Sequence, residues 1–358
     1  MRFPLNRFFL IGALLSAAAC AGDMATGPVS ANSTADSRRK QKDPPTTTPP
    51  ADTTTATPPA DTTTSTPVPT SGNPIAGATF WIDPYSNAKK TADAWRLTRP
   101  ADALQMDKIA THSQAQWFGS WSGDIYTAVD KAVTTVMNAG ALPVLVTYSI
   151  PRLDCGSGGL TPDGYKTWIS AFANGLRGRK AVVVLEPDAL PAMGCLTSTE
   201  QQTRLDLLKF AVQQLKAQGG IVYLDAGHPR WQSASLMASR LTSAGIAAAD
   251  GFSLNVSNFL FTTDNITYGT SISSLVSGKH FIIDTSRNGL GPTADYQWCN
   301  PSGRALGTAA TTNTGNALVD ALLWIKRPGE SDGTCNGGPT GGSWWADYAL
   351  GLAQRSTI

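Results

Sequence analysis

Charge is scarce in this chain. Asp, Glu, Lys and Arg make up 15% of 358 residues, the formal net charge is +2, and the one basic cluster is SRRKQK at 37–42. Without a basic face, a phosphate polymer finds little to hold it, so nucleic acid is not an expected partner. Histidine is rarer still, with His112, His228 and His280 scattered along the sequence, and there is no Cys-x-x-Cys pair. A structural zinc site has no support in that spacing, and no metal or other cofactor is expected. No Gly-x-Ser-x-Gly elbow occurs, so a serine hydrolase has no support. GLGPTA at 289–294 imitates a dinucleotide fingerprint, but Pro292 and the Trp-Cys loop after it leave no helix to hold a pyrophosphate. The apolar stretch Phe8 to Ala19 is too short to span a bilayer.

What that stretch does resemble is an export signal, because Arg2 and Arg7 precede it and small residues follow. It ends in SAAAC, which leaves two readings open. Cleavage by ordinary signal peptidase is one. Lipoprotein processing, which acylates Cys20 and holds the mature chain at a membrane, is the other, although Ala17 stands where the usual motif has Leu. Cys20 is otherwise an odd fifth cysteine in an exported chain. The Pro/Thr repeats from Asp43 to Gly72 cannot bury a core and read as an extended spacer. The expected organisation is therefore a signal over 1–20, a disordered linker over 21–72 and one domain over 73–358, a length that suits a single α/β barrel. Lipid at Cys20 is the only membrane contact expected, and a monomer is expected.

Within 73–358, AVVVLEPDAL at 181–190 joins an apolar β-branched run to two carboxylates across one proline. A continuous rather than alternating run suits a parallel strand covered on both faces. Pro187 cannot donate to a ladder, so the strand should end there, with Glu186 extended before it and Asp188 just beyond. An isolated E-P-D also fits a helix cap or a solvated loop. The pattern recurs, however. LPVLVTYSI leads to PRLDC, GIVYLD to AGHPRW, GFSLNV to SNF, HFIID to TSRNG and ALLWIK to RPGESDG, while ATFWIDP reads as an opening strand. Helical segments lie between, such as GYKTWISAFANGL and STEQQTRLDLLKFAVQQLKAQG, the latter with Ser198 or Thr199 as N-cap and Gly219 as stop. The expected fold class is α/β, a mostly parallel sheet most economically closed into a (β/α) barrel with its active site at the carboxyl ends of the strands. That arrangement crowds Tyr148, Asp154, Asp188, Asp225, Asn255, Asp284, Lys326 and Asp332 on one rim. Trp117, Trp121, Trp231, Trp298, Trp324, Trp344 and Trp345 offer flat faces on which pyranose rings can stack. Trp231 and Trp298, in Gly/Pro-rich loops, fit that use better than core packing.

Taken in order, TYSIPRLDC, LEPDAL, LDAGHPRW, LNVSNF, IDTSRNGLGP, WCNPSGRALG and TNTGNALVDALLWIKRPGESDGTC closely resemble glycoside hydrolase family 6, the inverting cellulases. The resemblance implies a distorted (β/α) barrel with fewer strands than a regular eightfold one and a β-1,4-glucan substrate, with Asp188 as proton donor, Asp154 raising the donor's pKa and ordering water, and Asp332 as the proposed base. It implies that Tyr148 crowds the distorted sugar ring, and that Trp117, His228, Trp231, Asn258, Trp298, Lys326 and Glu330 contact substrate. Arg287 would pair with Asp332, and Asp225 is expected in a supporting role. It further implies disulfides Cys155–Cys195 and Cys299–Cys335, in keeping with export. One departure stands out. The family places Arg immediately before the aspartate matched by Asp154, whereas here that place is Leu153 and Arg152 lies one earlier. Neighbours on extended backbone point oppositely, so Arg152 is not expected to supply the missing guanidinium. Short loops around 154–165 and 335–350 favour an open cleft and internal cutting. A cellobiohydrolase of the same family is the alternative, and a non-catalytic glucan-binding surface protein is the alternative of another class.

Overall fold

A computed structural model describes residues 72–358 with the exception of Asp154 and Ser157. The export signal, Cys20 and the Pro/Thr spacer lie outside the described residues, as does Asp154. Seven parallel strands form one curled sheet in sequence order: β1 (Gln116–Gly119), β2 (Val144–Tyr148), β3 (Ala181–Leu185), β4 (Gly220–Asp225), β5 (Gly251–Leu254), β6 (His280–Asp284) and β7 (Val319–Leu323). Among the described residues eight α-helices accompany them: α1 (Asn87–Trp95), α2 (Pro100–Ala110), α3 (Ile125–Asn138), α4 (Pro162–Leu176), α5 (Ser198–Ala217), α6 (Ala234–Ser243), α7 (Thr262–Leu275) and α8 (Ala346–Gln354).

The valine runs explain the layering. Alternate strand residues face opposite ways, and both faces are dry. Val182, Val184, Ile221, Tyr223, Ile282 and Leu323 fill the inside of the curl, while Val183, Leu185, Val222, Leu224, Phe252 and Ile283 pack under the helices. Burying each such side chain stabilises the fold by about 1.5–3 kcal/mol. A third cluster joins α1, α2 and α8 around Trp324.

Two expectations about elements change. ATFWIDP forms no strand; Phe80 makes an isolated bridge to Leu142, and Leu142 N–H donates to Thr79 O at 2.8 Å. Pro143 follows and has no N–H with which to extend the pairing. The first strand is instead QWFG at 116–119, paired with β2 in register Trp117↔Val146. No ladder links β1 to β7. The gap between them is bridged by the Ala115 N–H to Trp324 O at 2.9 Å, the Trp117 indole N–H to Ile325 O at 2.8 Å and Arg327 Nε to Ala115 O at 2.9 Å.

The N-cap of α5 is Thr197 rather than Ser198 or Thr199. Its hydroxyl accepts from Glu200 N–H at 3.3 Å, and the Glu200 carboxylate accepts from Thr197 N–H at 2.9 Å, a reciprocal box that decides the start. No described helix is long and apolar enough to cross a membrane.

Candidate active site

Parallel strands deliver their carboxyl ends to one rim, and most of the expected residues lie there. β2 ends in Tyr148, whose ring meets Trp117 of β1 edge-on, centroids 5.6 Å apart. β3 ends at Leu185, one residue earlier than expected. Glu186 and Asp188 both take left-handed backbone, φ 49° and 69°, a conformation that costs of order 1–3 kcal/mol for a residue with a side chain. The reason is visible at Glu186. Fully buried, its carboxylate accepts from the N–H groups of Ser149 at 2.8 Å and Ile150 at 3.0 Å, directly below the loop that leaves β2. Extended backbone before Pro187 would aim it elsewhere. Burial pushes the Glu186 carboxyl up to about 7, against the pull of those two N–H groups and of Thr147 and Tyr165.

Asp188 follows, half-buried, with its N–H donating to Asp225 Oδ2 at 2.9 Å. Asp225, at the end of β4, also accepts from Gly227 N–H at 3.1 Å and Ser253 Oγ at 3.1 Å. Burial, with some help from the charge of Asp284, raises its pKa. The supporting place expected of Asp225 is thus a backbone clamp on Asp188. Beyond β4, His228 is brought against Trp231, ring centroids 5.6 Å apart. Burial and neighbouring Arg230 push His228 down to about 4, so it stands neutral, with Nδ1 accepting from Arg230 N–H at 3.3 Å.

The opposite side of the rim is cationic. Arg287, wholly buried, donates to Asp332 Oδ2 at 2.7 Å and to Ser257 O. Lys326 Nζ lies 3.2 Å from Asp332 Oδ1. Asn300 adds a two-way clasp, its N–H donating to Asp332 Oδ2 at 3.0 Å while its side-chain oxygen accepts from Asp332 N–H at 2.8 Å. Burial works to raise Asp332, but Arg287 and then Lys326 outweigh it and hold the carboxyl below its ordinary range. Lys326 is itself lowered by burial.

Behind this pair, buried Asp284 accepts from the N–H groups of Ser257, Ser286, Ile325 and Lys326 at 2.9–3.3 Å, locking together the exits of β5, β6 and β7. Asn258, after β5, is half-buried, with its N–H donating to Asn255 O at 2.9 Å and Nδ2 to Val256 O at 3.3 Å. Glu330 is drawn aside to Arg327 at 3.2 Å.

The tryptophans divide sharply. Trp298 is 61% exposed and Trp231 37%, both on rim loops, and Trp121 is 62% exposed just after β1. Trp324 is core, 1% exposed, with Trp344 and Trp345 packed against the same cluster. Of the other histidines, His112 stacks on Trp324 and His280 pairs with Asp320 at the amino end of β6. Among the described residues no cluster of three or more His, Cys, Asp or Glu could hold a metal. Disulfides join Cys155 to Cys195 and Cys299 to Cys335. Arg152 departs from the extended backbone expected of it, with φ 62°, and its Nε lies 3.6 Å from Glu200 Oε1.

Sequence reasoning passed over Arg204, Asn300 and the cation–π stack of Arg230 on Tyr296, 3.8 Å, which links the loops after β4 and β6. An Arg on a helix and an Asn after a Cys carry no signal until their long-range partners are known.

Residues 75–356 match the family described as Glycosyl hydrolases family 6. The chain belongs to that family. Its relatives include Endoglucanase A of Cellulomonas fimi, 42% identical over 293 residues, which covers 80% of this chain but 62% of that protein. Endoglucanase 1 of Streptomyces halstedii is 41% identical over 287 residues, 75% of this chain and 87% of the relative. Among solved structures, the endoglucanase Cel6 from Mycobacterium tuberculosis, in complex with methyl-cellobiosyl-4-deoxy-4-thio-β-D-cellobioside, superposes with a TM-score of 0.76 at 45% identity, covering 79% of this chain and 99% of that one. The glycosyl hydrolase fold and the seven-stranded curled sheet are therefore shared.

Proposed function

We propose that this glycosyl hydrolase is an exported endoglucanase that cleaves β-1,4-glucan with inversion at the anomeric carbon. The observation that carries the reading is the electrostatic asymmetry of the rim. Asp188 leaves β3 with its N–H on buried Asp225 and with buried Glu186 two residues before it, and in this reading it is the acid that holds its proton. Asp332, beyond β7, is clasped by Arg287 and Lys326 and stays ionised. Paired carboxyls in opposed environments are what a general acid and an anionic partner require. In this reading Asp188 protonates the glycosidic oxygen. The Asp332 anion orients water on the other face of the sugar; its own low proton affinity makes it a weak base, so orientation and charge weigh more than proton abstraction. Asp154 tunes the donor, and Tyr148 and Trp117 pack against the reacting ring. His228, Trp231, Asn258, Trp298, Lys326 and Glu330 bind neighbouring sugars.

Relatives named endoglucanases at 41–42% identity support internal cutting, and the thio-oligosaccharide in the related Cel6 complex supports a β-linked glucan as the ligand class. Proton NMR during the first minutes of glucan hydrolysis tests the chemistry. Single displacement by water gives α-configured reducing ends first; β product appearing first overturns the mechanism.

A further inference from the structure

This chain lacks the guanidinium that the family pattern places at 153, and Arg152 turns out to Glu200. Another guanidinium comes close by a different route. Arg204, near the amino end of α5 and 3% exposed, donates through Nη1 to Ala189 O at 3.0 Å and through Nη2 to Pro151 O at 2.6 Å and Arg152 O at 2.8 Å. These carbonyls belong to two different segments. One leaves β2 and runs to residue 154; the other leaves β3 and begins with Asp188.

Burying a guanidinium is costly unless its donors are met, and an apolar side chain would fill the same space without that cost. The planar fork of Arg serves carbonyls lying in different directions at once, which the compact ammonium of Lys does less well. Packing holds the first segment in part, with Ile150 fully buried and Leu153 and Leu160 set against the core. A cavity of about 320 Å³ lies between it and α5, lined by Ile150, Pro151, Leu160, Leu196, Leu207 and Arg204 itself. Beside that space the segment is tied by the Glu186 carboxylate, the Leu160 N–H to Ser149 O bond at 3.0 Å, the Arg152–Glu200 pair, the Cys155–Cys195 bond and Arg204.

We infer that Arg204 is a positioning residue for hydrolysis: it sets the register of the segments bearing the acids at 154 and 188, in place of a guanidinium at 153. The inference rests on the glucanase reading for its kinetic consequence, but not for its structural one.

The test uses the full chain with Arg204→Met and Arg204→Lys. Displacing an acid by an ångström costs about 10²-fold in rate, so kcat on soluble β-1,4-glucan should fall by about that factor in Arg204→Met with KM little changed. A 2,4-dinitrophenyl β-cellotrioside, whose leaving group needs no proton, should lose far less, and Arg204→Lys should recover part of the glucan activity. Equal loss on both substrates, or none, overturns the inference. Amide exchange decides the staple independently of activity. Segments 149–153 and 188–193 should exchange at least about tenfold faster in either variant while β4 is unchanged; unaltered protection there overturns it. Should the Met variant fail to fold, the Lys variant carries both measurements. A wild-type chain inactive on glucan would remove the glucanase reading and leave the exchange result to judge Arg204.

Discussion

At Asp188 the backbone N–H is spoken for by Asp225 and the local φ is left-handed, so the side chain is aimed by strain and a clamp together. Replacing Asp188 by Ala should lower glucan hydrolysis by about 10² or more, the usual scale for a lost general acid, while a glycosyl fluoride substrate is largely spared. Initial rates on the two substrates give the answer, and parallel loss counts against the donor role. Two residues earlier, Glu186 gives a stability prediction. Its folded pKa of about 7 lies above the unfolded 4.5, so the folded state binds the extra proton between those values. The corresponding stability, about 3 kcal/mol, is whole below pH 4.5 and is lost as pH rises through about 7. His228, lowered to about 4, acts in the opposite sense over part of that range. The informative quantity is therefore the difference between wild type and Glu186→Gln: Tm measured from pH 5 to 8 should fall less steeply in the variant. Matching slopes would mean that Glu186 is not the titrating group.

At the scale of elements, the strand ends are held by side chains rather than by ladders. Asp284 gathers four N–H groups from three strand exits, and Glu186 gathers two from the exit of β2. The Cys155–Cys195 bond, spanning 40 residues, adds a covalent tie between the loops after β2 and β3. By loop-closure entropy, changing both cysteines to Ser should cost about 4 kcal/mol, read as a lower denaturant midpoint at similar m-value. Activity should fall further than stability alone would require, because the freed loops carry the segments on either side of Asp188 and residue 154. Full activity in the folded double variant would show that the bond serves stability only.

For the whole molecule the question is how a polymer enters. The rim between Trp117 and Trp298 bears half-buried and exposed aromatic faces, and the connections 149–161 and 324–345 follow β2 and β7. The Arg230–Tyr296 stack is one place where two loops touch across the rim side of β5. An open cleft predicts a rapid fall in the viscosity of carboxymethyl-cellulose with few new reducing ends. Steady release of cellobiose with little change in viscosity would mean a roofed site that works from chain ends.

Much of this architecture was legible beforehand because it is local. Valine runs ending in proline or polar residues announce buried parallel strands, and the acids after them announce a rim; the motif order around TYSIPRLDC, LEPDAL and RPGESDG identifies the family. β1 escaped notice because QWFG is four residues long with a polar start and a glycine end, and ATFWIDP resembled a strand whose partner happens to meet Pro143. What tertiary structure alone decided are the matters that depend on distant partners. The left-handed turn at Glu186 exists because Ser149 and Ile150 offer their N–H groups from the exit of β2, and the ionised state of Asp332 exists because Arg287, 45 residues away, reaches it. Arg204 turns inward to carbonyls more than fifty residues earlier in the chain. Periodicity records which face a residue shows; which buried group it meets there depends on how the strands curl.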